Sequence, residues 1–244
     1  MVDFQIRLTE MPVGITAEYK ETELACKGYF CEGEKEAFHV SATEEDINKE
    51  KEYFLERNGR AKISLWQLER SALYRLIAEE MIDYDRVLIH GSALAIDGNA
   101  YLFIAPSGTG KSTHTALWRK VFGERIVMVN DDKPLVRMDQ DEILIYGTPW
   151  DGKHRLSNNI GVPLKGIARV YRSEDNRVVR LSKEEAMTRL LEQTYRSEKP
   201  LRVVKTLEML KRISDEIPFY ALYCNMEEEA AYTAYEAMTK GETR

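Results

Sequence analysis

Residues 105–113, A-P-S-G-T-G-K-S-T, constrain this chain more than any other stretch. Gly108 and Gly110 free the backbone to curl, so that the N–H groups of Ser107, Gly108, Thr109 and Gly110 can close around an anion. Lys111 supplies a cation that reaches β- and γ-phosphates. Ser112 offers a hydroxyl for Mg²⁺, with Thr113 as a substitute. The helix that follows adds its partial positive N-terminal charge. Such a loop has to hang between a buried strand and a helix, and both are legible. Tyr101–Ala105 is apolar throughout, and residues 111–122 read as a helix. The strict spacing G-x-x-x-x-G-K-[ST] would place glycine at 105, where this chain has Ala105. The competing reading is a glycine-rich turn with an incidental lysine.

A phosphate loop also needs a carboxylate near the metal. The apolar run Ile126–Val129 ends in Asn130-Asp131-Asp132. In an open α/β sheet that strand end shares the ligand edge with the loop. A carboxylate there can bind Mg²⁺ or accept a proton from an attacking hydroxyl. An Asp-Asp turn capping a strand is the plainer alternative. The order strand, loop, helix, strand over 101–130 is an α/β signal. Further strands are expected at 87–90, 93–96 and 143–146, and helices at 183–196, 200–214 and 226–239.

The first 40 residues alternate apolar and polar positions, as in Phe4, Ile6 and Leu8, and are broken by Gly14, Gly28 and Gly33. This pattern predicts a small antiparallel sheet. Ser41-Ala42-Thr43-Glu44-Glu45-Asp46 reads as a helix start. Residues 64–83 fit an amphipathic helix. Residues 1–84 carry 11 basic and 18 acidic side chains, a balance of −7, whereas 85–244 balance at +1, within a total of −6. The expected organisation is therefore a sheet-and-helix module over 1–84, a candidate for partner recognition, and a nucleotide-binding body over 85–244.

Composition excludes several classes. With 43% hydrophobic and 31% charged residues the chain is neither disordered nor fibrous. No apolar run approaches the roughly 20 residues that cross a bilayer. The start M-V-D-F-Q-I-R-L-T-E lacks a secretory pattern, so a cytoplasmic location without membrane association is expected. Without a basic excess, nucleic acid is not an expected partner. Cys26, Cys31 and Cys224 are too few and scattered for a disulfide framework and are expected as free thiols.

In combination, S-G-T-G-K-S at 107–112, His90-Gly91 ahead of the loop, and Asp131-Asp132 after it resemble the catalytic domain of HPr kinase/phosphorylase. More distantly they resemble phosphoenolpyruvate carboxykinase. The likeness covers residues 86–175, with weaker support to about 235. It is nearest to small HPr-kinase-like proteins of unknown substrate, which show similar H-G-S-A, A-P-S-G-T-G-K-S-T-H and G-T-P-W-x-G-K stretches. The resemblance implies an α/β phosphate-loop domain, α+β with the front module included, acting on ATP and Mg²⁺. It implies Asp131 as the base that takes a serine hydroxyl proton, Asp132 as a metal contact with Ser112, and His90 beside Asp131. Lys111 counts with the catalytic residues. His114 is expected in packing or behind the site, and His39 as a sheet residue.

The chain also departs from that family. The acidic, glycine-containing stretch after the double Asp has no match, and G-T-P-W-D-G-K-H (147–154) stands in its place. Asp151 is a candidate for the missing acid, and Lys153, His154 or Arg155 for phosphate or substrate contact. A core-filling turn fits equally. The C-terminal loop used in dephosphorylation is not recognisable, so phosphorolysis is not expected. Arg169, Arg172, Arg177, Arg180 and Arg189 read as solvated faces. The expected activity is transfer of the γ-phosphoryl group to a hydroxyl of a protein, peptide or small molecule, with homo-oligomerisation open. Nucleotide sensing without transfer and an ATPase module are the alternatives.

Overall fold

In the computed structural model, which describes residues 1–59, 61–152 and 154–240, the chain divides into two separately packed units. These are Met1–Tyr84 and Asp85–Arg244.

In the first unit, β1 (Val2–Leu8) and β2 (Met11–Ala17) form an antiparallel hairpin. Its turn residues Thr9 and Glu10 both adopt left-handed φ (49° and 68°), the twist that suits a two-residue hairpin. After α1 (Lys20–Ala25), β3 (Phe38–Ser41) joins β2 in parallel. The expected antiparallel sheet is therefore only half right. The intervening helix carries the chain back to the starting end of β2, and a returning strand then has to run parallel. α2 (Glu44–Asn58) starts at Thr43, whose hydroxyl accepts from the Asp46 N–H while Asp46 accepts from the Thr43 N–H. α3 (Leu65–Met81) buries Leu68, Ala72, Leu73, Ile77 and Met81, the stripe its periodicity announces.

The second unit is built on a nine-stranded mixed sheet. Its strands are β4 (Arg86–Leu88), β5 (Ser92–Ile96), β6 (Asn99–Ile104), β7 (Ile126–Asn130), β8 (Leu135–Met138), β9 (Ile143–Tyr146), β10 (Gly161–Arg172), β11 (Arg177–Arg180) and β12 (Phe219–Cys224). They lie in the order β4-β8-β9-β10-β6-β5-β7, with β12 beside β10 and β11 beside β12. Four helices complete it: α4 (Lys111–Phe122), α5 (Lys183–Gln193), α6 (Pro200–Glu216) and α7 (Glu229–Lys240). Asp97 and Gly98, both at positive φ, turn β5 into β6. One sheet face, carrying Leu94, Tyr101, Phe103, Val170 and Leu222, packs with Trp118 of α4 and Ala231 and Ala234 of α7. The alternate residues Ala93, Leu102, Ile104 and Ile167 are buried too, so the central strands are covered on both sides. Among the described residues no helix is long and apolar enough to cross a membrane.

Strand direction places the site. β6 is parallel to β10, and β10 to β12. β5 runs antiparallel to both β6 and β7, so β6 and β7 point the same way. The carboxyl ends of β6, β7, β10 and β12, and the start of β5, therefore share one edge of the sheet.

Candidate functional site

At that edge the loop 106–110 leaves β6 and enters α4. Gly108 (φ 77°) and Gly110 (φ 126°) hold left-handed backbone that other residues rarely adopt. Ala105 is fully buried in the core beneath the loop, which accounts for the missing glycine: its methyl group fills space instead of blocking the loop. Lys111 is 8% exposed, and its Nζ donates to the Ala105 carbonyl at 2.9 Å. Burial lowers the Lys111 pKa, opposed by the negative charges of Asp132 and Asp131. Ser112 and Thr113, on the first turn of α4, are exposed.

The two carboxylates have different surroundings. Asp131 is 4% exposed, and its Oδ1 accepts a 2.7 Å hydrogen bond from Ser92, whose hydroxyl is 3.1 Å from that of Thr115. Its Oδ2 faces Gly152, where an added Cβ would lie only 2.7 Å away. Asp132 is half-buried, with His90 Nε2 at 3.2 Å from Oδ1 and the Lys133 ammonium on Oδ2. Burial alone would raise the Asp132 pKa. The hydrogen bond from His90 and the charge of Lys133 outweigh it and hold the carboxyl well below the usual range. The resemblance puts His90 beside Asp131, but the structure puts it on Asp132, with Ser92 on Asp131. Asp131 and Asp132 follow β7 in a bend held by the Asn130 side chain, and each finds its own partner.

The turn is fixed from behind. The Asn130 side-chain oxygen Oδ1 accepts from the Asp132 and Lys133 N–H groups at 2.8 and 2.6 Å, while its side-chain Nδ2 donates to the Thr148 carbonyl at 3.0 Å. Thr148 in turn donates to the Lys133 carbonyl at 2.9 Å. Thr148, in the stretch 147–154, thus supports the double Asp. Gly147 fits there because a Cβ would meet the Asn158 carbonyl oxygen at 1.9 Å. Asp151 accepts from Ser157 Oγ at 3.1 Å, and His154 and Arg155 are exposed. Lys153 lies outside the described residues.

The structure thus brings His90, the loop 107–113, Asp131 and Asp132 to one sheet edge. His114 is set apart from them: 2% exposed, it accepts from Trp118 Nε1 at 2.9 Å and faces Cys224 Sγ at 3.8 Å. Burial pushes its pKa down to about 3, so it is a neutral packing residue. His39 sits in β3, bonded to Thr16 and Glu36. Cys26, Cys31 and Cys224 are free thiols.

Sequence reasoning missed Ser92, Asn130 and Arg172. Asn130 had a signal, since an Asn before two acids is a common turn former. Arg172 had none. Read as a solvated face, it donates from Nε to the Thr109 carbonyl at 3.0 Å and from Nη2 to Gly108, bracing the loop from 63 residues away. Arg169 is likewise engaged, paired with Glu192, which Arg189 also contacts at 3.0 Å. Among the described residues no group of three or more His, Cys, Asp or Glu is placed to hold a metal.

No family model matches the chain, and no curated protein matches it. Among solved structures, one described as the Hpr(Ser) kinase/phosphatase from Coxiella burnetii is similar over 53% of this chain and 92% of that one, at 14% identity. Its TM-score of 0.27 makes the likeness remote, too low to carry any conclusion about activity.

Proposed function

We propose that the chain is an ATP- and Mg²⁺-dependent kinase that transfers the γ-phosphoryl group to a hydroxyl, a serine above all, on a protein, a peptide or a small molecule. The observation that carries this reading is the shared sheet edge. A left-handed glycine loop with its lysine stands beside a buried carboxylate whose Oδ2 carries no hydrogen bond among the described residues. Phosphoryl transfer asks mainly for positioning and charge stabilisation, so these parts suffice. The loop N–H groups and Lys111 hold phosphate oxygens. Lys111 exchanges its bond to the Ala105 carbonyl for the phosphates. Asp131, oriented by Ser92, accepts the hydroxyl proton at Oδ2.

Mg²⁺ takes most of its ligands from water and phosphates and needs only one or two carboxylates. The exposed Ser112 hydroxyl and the strongly acidic Asp132 are hard oxygen donors that fit such a role. When bound, the ion would neutralise charge on the β- and γ-phosphates. His90 and Lys133 keep Asp132 ionised and oriented.

Nucleotide sensing without transfer is the second reading, favoured by the depth of Asp131, which is only 4% exposed. The discriminating test is label transfer from γ-labelled ATP to free serine, serine peptides and proteins encoded beside this chain. Labelling by the wild type that Lys111→Ala and Asp131→Asn both lose supports the kinase. Identical labelling by wild type and Lys111→Ala overturns it. Binding of ATP without label transfer to any of these acceptors supports the sensor.

A further inference from the structure

The loop has a second side. Residues 106–109 form one wall of an open cleft of about 480 Å³, and the other wall is the end of β10 with Tyr223 of β12. That volume falls within the range of about 300–1,000 Å³ typical of small-molecule sites. The parallel register of β10 and β12 sets Tyr171 opposite Tyr223, and their rings stack at 5.0 Å with 18° between planes. Arg177 covers Tyr223 at 3.9 Å from the ring centroid, and Arg169 stands 5.4 Å from that of Tyr171. Arg172 ties this wall to the loop through hydrogen bonds to the Thr109 and Gly108 carbonyls. Among the described residues no acidic side chain lines the cleft.

Resting on the nucleotide reading above, we propose that this cleft takes the purine base of the bound nucleotide, against the wall of Tyr171, Tyr223 and the flanking arginine guanidinium groups. Three features select that occupant. The wall is aromatic and guanidinium-rich, and both planar groups stack on bases. The cleft shares residues 106–109 with the loop that would hold the phosphates, which puts a base and the phosphates of one nucleotide within reach of the same segment. Arg172 carries positive charge on the lining, and Arg169, whose charge is met by Glu192, adds a second guanidinium plane. A purine offers more stacking area than a pyrimidine and is preferred for that reason. Arg172 acts here as a positioning residue, holding the loop at a fixed distance from the base wall.

Calorimetric titration with Mg·ATP and with Mg·tripolyphosphate, which has phosphates but no base, separates the two claims. The wild type is expected to bind ATP about tenfold or more tighter than tripolyphosphate, from the usual worth of base stacking. Tyr171→Leu and Tyr223→Leu should lose that advantage while keeping tripolyphosphate affinity, and Tyr171→Phe should retain both. Because leucine at either position could unsettle β10 or β12, the wild type alone provides a second arm: ATP and GTP should bind several-fold tighter than CTP and UTP. Equal affinity for ATP and tripolyphosphate, or for all four nucleotides, overturns the base site while leaving the phosphate loop standing. Equal loss of ATP and tripolyphosphate in the leucine variants also overturns it. Failure of the wild type to bind either ligand overturns the nucleotide reading and the base site together.

Discussion

Each unit of the molecule buries a carboxylate, and the two are handled in opposite ways. In the first unit Glu69, 2% exposed, accepts from the Glu18 and Tyr19 N–H groups and from the Thr22 hydroxyl. Both oxygens are occupied by donors that tie α3 to residues 18–19 after β2 and to Thr22 in α1. In the second unit Asp131, 4% exposed, is bonded through Oδ1 to Ser92, and Oδ2 is left facing a glycine. Burying a charge is costly unless donors compensate it. Glu69 is compensated in full and acts as a fastener. Asp131 is compensated on one side, which leaves an acceptor for a proton or a substrate group. Burial of an acid is therefore not by itself a sign of chemistry; the role proposed for Asp131 rests on its unclaimed oxygen at the shared sheet edge.

The sharpest break in this contrast comes from exchanging function for fold. Asp131→Asn should lower phosphoryl transfer by about 10²–10⁴-fold, the usual worth of a general base, with thermal unfolding little changed. Label-transfer rates beside a melting curve check both halves. Glu69→Leu should do the reverse, weakening the first unit by about 1–3 kcal/mol for each buried donor left without an acceptor. Denaturant unfolding measures the loss, and transfer by the folded fraction should persist. Gly152→Ala brings a methyl group against Asp131 Oδ2 and should slow transfer by about tenfold or more without abolishing nucleotide binding. A rate equal to wild type would mean that Oδ2 is not the working oxygen.

A further effect concerns stability alone, through the buried His114 imidazole. His114 has its pKa lowered from 6.5 to about 3, so below pH 6.5 the unfolded chain takes up a proton that the folded chain refuses. Stability is then fully present above pH 6.5 and falls as the pH drops towards 3, by at most about 1.4 kcal/mol per pH unit. Unfolding measured from pH 7 to 5 should fall less steeply in His114→Gln. A parallel pair of curves would show that His114 titrates normally in the folded state.

The same two regions show what a sequence can disclose. The loop and the limits of α4, Lys111–Phe122, are readable because their chemistry is local: glycines, a lysine and a helix start lie within nine residues. The amphipathic α3 is readable because its burial repeats with the helix period. β10 is not, because Pro163, Lys165, Gly166 and Arg169 interrupt any apolar run, and its pairing with β6, β9 and β12 is set by distant partners. The parallel placement of β3 and the brace from Arg172 were hidden for the same reason. Within the candidate site, the motif names Asp131 and Asp132 but not their partners. Which of two adjacent carboxylates meets His90 depends on the direction each leaves the strand, and side-chain direction at a strand end is fixed by the fold, not by the motif.

The division of labour between the lysine and the buried acid is most directly tested by titrating Mg·ATP into the wild type, Lys111→Ala and Asp131→Asn. Saturable binding by the wild type is expected, weakened about 10- to 100-fold in Lys111→Ala by loss of a charge-assisted contact. Asp131→Asn should bind within about threefold of wild type, since Oδ2 serves the proton rather than the phosphates. Equal affinity in the wild type and Lys111→Ala would contradict a phosphate-holding loop. A loss of binding in Asp131→Asn as large as that in Lys111→Ala would recast Asp131 as part of the binding site and not its base.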